Sequence, residues 1–203
     1  MNVYVETNFL LELAFRQEQF ESCEGILKLC EARTVGLAVP AYSLAEPYEV
    51  LTRRQNHRRR MKRELDIELQ QLARSTAHKD RLRGFRDLAA LLMNISDEAA
   101  EQLEEVRLRL INAADLTPLD ASVLASATQH QATHGLSAQD AFVYSSVLSH
   151  LEQVRTSQSC FLNKNTRDFE DQAIVRELAR YNCKLLPRFD AGYAFIRHAL
   201  RVE

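Results

Sequence analysis

Glycine is scarce in this chain, with only five among 203 residues. None of them falls in a G-x-G-x-x-G or P-loop pattern, so the phosphate-cradling turns of nucleotide-cofactor sites have no candidate. Long hydrophobic runs are missing too. The longest uninterrupted apolar stretch is Leu88 to Met93, far short of the roughly 18 residues a membrane-spanning helix needs, and no membrane association is expected. The first ten residues hold Glu6 and no basic residue, the wrong charge for the start of an export signal. Cysteine is limited to Cys23, Cys30, Cys160 and Cys183, with no C-x-x-C pair. That spacing opposes a disulfide scaffold or a Cys-based zinc site and fits reduced, buried thiols in a cytoplasmic protein. There is no H-E-x-x-H, and no Ser-His-Asp or Cys-His arrangement that spacing recommends. His130 and His134 stand four residues apart, as zinc ligands can, but lack an evident third ligand and are expected to be a surface pair.

What is present is enough apolar material, 46% of residues, to build one core, and enough charge, 27%, to cover it; a single domain over residues 1–203 is expected. The net charge of −2 conceals a separation of sign. Arg53, Arg54, Arg58, Arg59, Arg60, Lys62 and Arg63 form a basic run without an acid, leaving the rest of the chain acidic. Such a run reads either as a phosphate-tracking surface, whose binding would fall steeply with salt, or as a solvated helix face offset by Glu64, Asp66 and Glu68. No aromatic is interleaved with these arginines, so base stacking on the segment is not indicated.

Periodicity predicts a strand over Asn2 to Val5, then a helix carrying Phe9, Leu10, Leu13 and Ala14, and a second helix marked by Phe20, Cys23, Ile26, Leu27 and Cys30. Gly36 to Pro40 reads as a buried strand ended by proline, and a third helix follows from about Ser43. Everything from about 53 to 114 reads as helical: Glu64 to Ala77, Asp80 to Met93, and Asp97 to Ala113 with Ser96 as N-cap. This block is expected to be an insertion projecting from the core. Leu116 to Leu119 is a short extended connection, Asp120 caps a helix that Gly135 stops, and Ser137 caps the next, to about Glu152. Strands at Cys160 to Leu162 and Lys184 to Leu186 and helices at Gln172 to Tyr181 and Asp190 to Val202 complete the chain. Alternating strands and helices imply an α/β fold, a parallel sheet covered by helices on both faces.

In such a sheet ligands bind at the carboxyl ends of the strands. Glu6 follows the first strand directly, Glu46 lies early in the helix after the second, Asp140 in the first turn after Ser137, and Asp168 shortly after the strand ending at Leu162. If they converge, four carboxylates about 5 Å apart repel by roughly 3 kcal/mol per pair at an effective dielectric near 20, and hard divalent cations such as Mg²⁺ or Mn²⁺ are needed to hold them together. A pair of such ions suits in-line hydrolysis of a phosphodiester with no covalent intermediate. Each acid also has a structural reading. Ser137-x-x-Asp140 approximates a capping box, Glu46 can pair with Arg53 or Arg54, and Asp168 can close a turn. Glu6, between Val5 and Phe9, has no obvious local partner.

The stretches Val3-Tyr4-Val5-Glu6-Thr7-Asn8-Phe9-Leu10-Leu11, Glu46, Gly135-Leu136-Ser137-Ala138-Gln139-Asp140-Ala141 and Leu162-Asn163-Lys164-Asn165-Thr166-Arg167-Asp168-Phe169 resemble, in order and spacing, the acidic motifs of PIN domains. The resemblance implies a Rossmann-like α/β/α fold with a short central parallel sheet. It further implies a Mg²⁺- or Mn²⁺-dependent nuclease cutting single-stranded RNA, of the kind found as toxins in toxin-antitoxin modules. Glu6, Glu46, Asp140 and Asp168 would be its catalytic metal ligands, with Thr7, Asn8 and Asn165 in support. An antitoxin-like inhibitor and a homodimer are the protein partners it implies. Glu6 stands where the family usually has Asp, and Asn165 where many relatives have an acid.

Overall fold

The computed structural model of the chain describes residues 1–74, 83–165, 169 and 171–202. The first strand, β1 (Asn2–Val5), lies at the centre of a sheet whose five strands are all parallel. It is followed by α1 (Thr7–Ala14), α2 (Phe20–Glu31), β2 (Gly36–Pro40), α3 (Ala41–Leu72), α4 (Arg83–Ala113), β3 (Asp115–Thr117), α5 (Ala121–His134), α6 (Ala138–Val154), β4 (Ser159–Leu162), α7 (Gln172–Ala179), β5 (Cys183–Leu186) and α8 (Phe189–Val202). The strand order is β3-β2-β1-β4-β5. The chain thus winds outward from β1 to β3 and returns across it to β4, which makes the β1/β4 boundary the point where topology switches.

Alternation along the strands divides the core in two. Val3, Val5, Leu37, Val39, Cys160 and Leu162 face one side, packed with buried residues of α1, α2, α4 and α8. Tyr4, Ala38, Phe161 and Cys183 face the other, against Ala127 of α5, Tyr144, Val147 and Leu151 of α6, and Ile174 and Leu178 of α7. Each large apolar side chain buried in these layers stabilises the fold by about 1.5–3 kcal/mol. The expected three-layer α/β/α architecture is the one observed. All four cysteines are free and buried, and burial pushes the Cys30 and Cys160 thiols up to about 12.

The middle of the chain departs from expectation. Asp115–Thr117 is a fifth strand, β3, paired in parallel with β2 through Leu116 opposite Val39, where only a connection was expected. The helix expected from about Ser43 and the one expected from Glu64 are a single helix that carries the basic run between them. It continues unbroken for 32 residues, with Pro47 inside it, about 48 Å at 1.5 Å per residue. Ser96, expected to cap a new helix, lies within the 31-residue α4. Ala99, Leu103, Val106, Leu110 and Ala113 of α4 are buried at alternating spacings of four and three, and that apolar stripe keeps the helix going past the local start signal. These residues belong to the core cluster on the Val3 face, so the second half of the supposed insertion is part of the fold's packing. Residues 75–82, where the expected ends of the helices Glu64–Ala77 and Asp80–Met93 fall, lie outside the described residues. Asp120 caps α5 and Ser137 caps α6, as expected, and Gly135 ends α5 at φ 68°, the left-handed position that glycine takes without a Cβ clash. Among the described residues no helix is long and apolar enough to cross a membrane.

Candidate active site

The carboxyl end of β1 delivers its carboxylate by a local device. Glu6 is the N-cap of α1, and its Oε2 accepts the backbone N–H of Asn8 at 2.7 Å. Its other oxygen, Oε1, accepts the N–H of Lys164 at 3.4 Å from the loop after β4, possible because β4 lies directly beside β1. Glu6 therefore has the local partner that its sequence neighbourhood does not advertise. It is 6% exposed, and burial pushes its carboxyl up to about 7; the two backbone donors oppose the rise and the negative charge of Glu46 adds to it.

Glu46 reaches the same place from α3, where its Oε2 accepts the hydroxyl of Thr7. Among the described residues it makes no ion pair with Arg53 or Arg54. Asp140 enters from the first turn of α6 in a reciprocal cap: its N–H donates to Ser137 Oγ at 3.1 Å, and the Ser137 hydroxyl donates to Oδ2 at 2.5 Å. Its Oδ1 accepts the side-chain amide of Asn165 at 3.2 Å. Ser137 supplies the cap as the capping reading expects, but the return bond runs to its hydroxyl and not to its backbone N–H, and Asp140 also lines the cleft. Asn163, 3% exposed, shapes the loop by accepting the Asn165 N–H on its Oδ1 at 2.8 Å.

Glu6, Thr7, Asn8, Glu46, Ser137, Asp140, Asn163, Lys164 and Asn165 line one cleft of about 570 Å³, together with Arg53 and Arg54 of α3. Tyr42 registers the field beside it. Burial raises its phenol first, and the charges of Glu46, Glu49 and Asp140 raise it further. Asp168, the fourth expected acid, lies outside the described residues, and among the described residues no three His, Cys, Asp or Glu side chains form a group able to hold a metal ion. The described carboxylates nonetheless offer oxygen alone, a donor type that fits a hard divalent ion retaining part of its water shell.

The basic run divides along α3. Arg54 lies over the Phe15 ring at 4.4 Å, while Lys62 pairs with Asp66 at 2.6 Å. Arg53 lines the acidic cleft and also a neighbouring cavity of about 760 Å³ that holds Arg60, Arg63, Asn56, His57 and Tyr48. Arg58 is half-buried and Arg59 exposed. His130 and His134 are not a surface pair. The His134 side chain is 6% exposed, bonded to Asp171 at 3.3 Å, and both rings pack edgewise on Tyr144. Sequence reasoning also passed over Glu12 and Gln139; the first is 1% exposed and paired with Lys164 at 2.6 Å.

With this geometry in view, the comparison with known families is direct: a family model for the PIN domain matches residues 3–169. The chain belongs to the PIN-domain family, whose fold is of nuclease type and whose members generally use divalent metal ions. No curated protein and no solved structure matches it.

Proposed function

We propose that the protein is a Mg²⁺- or Mn²⁺-dependent endoribonuclease that hydrolyses phosphodiester bonds of single-stranded RNA. One observation carries this reading: Glu6, Glu46 and Asp140, delivered by β1, α3 and α6, line a single cleft at the carboxyl edge of the sheet. Together with Asp168, the fourth acid that the family resemblance implies, they would hold the ion. When bound, a divalent ion activates water and neutralises charge developing on the phosphate.

The chain's own residues prepare the site. Thr7 orients Glu46, and Ser137 with Asn165 orients Asp140, the kind of supporting bonds that fix ligands in place. Arg53 and Arg54 offer cations to phosphates flanking the scissile one, and Arg60 and Arg63 extend that offer along α3. The single-stranded specificity follows the family resemblance. The test is incubation of single-stranded RNA with the protein and Mn²⁺, with EDTA as control and Asp140→Asn alongside. Cleavage that EDTA and the substitution both abolish is expected. Equal cleavage by Asp140→Asn would remove the mechanism.

A second reading is a PIN fold that binds RNA or a protein partner without cutting, favoured by the fact that protein donors already engage both oxygens of Asp140. It predicts salt-sensitive RNA binding with no heat of Mn²⁺ binding at millimolar metal.

A further inference from the structure

Glu12 sits on α1 and is 1% exposed. A carboxylate so enclosed needs a partner at each oxygen, and it has both. Oε1 receives the Lys164 ammonium at 2.6 Å and Oε2 the backbone N–H of Gln19 at 2.8 Å. Gln19 carries the network onward, its Oε1 accepting the N–H groups of Phe189 at 2.7 Å and Asp190 at 3.1 Å. Four separate parts of the chain are thereby tied at one point: α1, the α1–α2 turn, the loop after β4, and the start of α8.

The same lysine faces the cleft with its backbone. Its N–H points at Glu6 Oε1, and the next residue, Asn165, gives its amide to Asp140. Its side chain, 37% exposed, ends on the enclosed Glu12 carboxylate, while its backbone N–H meets Glu6. Glu6 and Glu12 also lie around one thiol, since both charges bear on Cys23.

We propose that the Glu12–Lys164 ion pair is a clamp that fixes Asn163, Lys164 and Asn165 after β4 against Glu6 and Asp140, making Lys164 and Glu12 positioning residues for the divalent-ion site. This rests on the nuclease reading of the cleft. Loss of the clamp leaves the loop held by the Asn163 turn and by the Asn163 N–H bond to Leu186 at 3.1 Å, and the donors aimed at Glu6 and Asp140 lose their register.

Isothermal calorimetry with Mn²⁺ alone tests it, on the wild-type chain, Lys164→Arg, Lys164→Met and the double variant Glu12→Gln with Lys164→Met. The double variant removes both charges and leaves no unpaired buried carboxylate, so it keeps the test open if Lys164→Met does not fold. The expected result is a Kd raised by about 10-fold or more in Lys164→Met and in the double variant, the usual cost of losing an outer-shell support, with Lys164→Arg close to wild type. Amide exchange at Asn165 is expected to quicken in the double variant. A folded double variant that binds Mn²⁺ as wild type does, with unchanged exchange, would overturn the clamp while leaving the nuclease reading intact. Absence of Mn²⁺ binding by the wild-type chain would instead remove the nuclease reading and the clamp with it.

Discussion

Glu6 carries a conflict between folding and function that can be measured. Its carboxyl moves from 4.5 in the unfolded reference to about 7 in the fold, so the folded protein keeps a proton there that the unfolded chain releases. Stability from this group is therefore full below about pH 4.5 and declines as pH rises, to be lost above about 7; the linkage amounts to roughly 3 kcal/mol. Glu6→Gln, which retains an oxygen for the Asn8 N–H, should melt with the wild type near pH 4.5 and above it at pH 8, while losing Mn²⁺ binding. Thermal melts at the two pH values decide this; a difference that does not change with pH contradicts the assignment. Glu6 was legible as a candidate because a carboxylate at a strand exit is conspicuous. Glu12 was not. Within Leu10-Leu11-Glu12-Leu13 it reads as the wet face of a helix, and its partner stands 152 positions away, beyond any local signal.

At the scale of elements, α4 is the structural centre of the helical block. Leu103 is fully buried in the core on the Val3 face, and Leu103→Ala should destabilise the protein by about 3 kcal/mol, as read by denaturant titration. A loss below about 1 kcal/mol would show that α4 does not belong to the core. Gly135→Ala places a Cβ at φ 68° and should cost about 1 kcal/mol, with the ends of α5 and α6 otherwise unchanged. Caps such as Asp120, Gly135 and Ser137 were legible because their chemistry is local. Ser96-Asp97-Glu98 carries the same local chemistry and misleads, because the buried stripe from Ala99 to Ala113 decides the helix over a longer range. Strand β3 was hidden for the opposite reason. It is three residues long with only Thr117 buried, too short to show a period.

For the whole molecule, the order β3-β2-β1-β4-β5 brings residues far apart in the chain to one edge. That convergence was readable in advance, since a strand-helix alternation together with the carboxyl-end rule places Glu6, Glu46 and Asp140 without coordinates. The division of labour along α3 was not readable, because charge type alone does not tell that Lys62 turns to Asp66 while Arg53 turns to the cleft. RNA binding should accordingly depend more on Arg53 and Arg60 than on Lys62. Replacing either arginine by alanine should lower the slope of log affinity against log salt by about one, and Lys62→Ala should leave it nearly unchanged. Equal slopes for all three variants in filter binding would mean that the run acts as an undivided patch.

On the proposed function, acids from β1, α3 and α6 share a bound cation at one rim of the sheet. Anomalous diffraction from a crystal soaked in Mn²⁺ addresses it without recourse to activity. A peak between Glu6, Glu46 and Asp140 is the predicted result, lost in Asp140→Asn. A soaked crystal with no peak in that cleft, or with manganese bound only elsewhere, would contradict it.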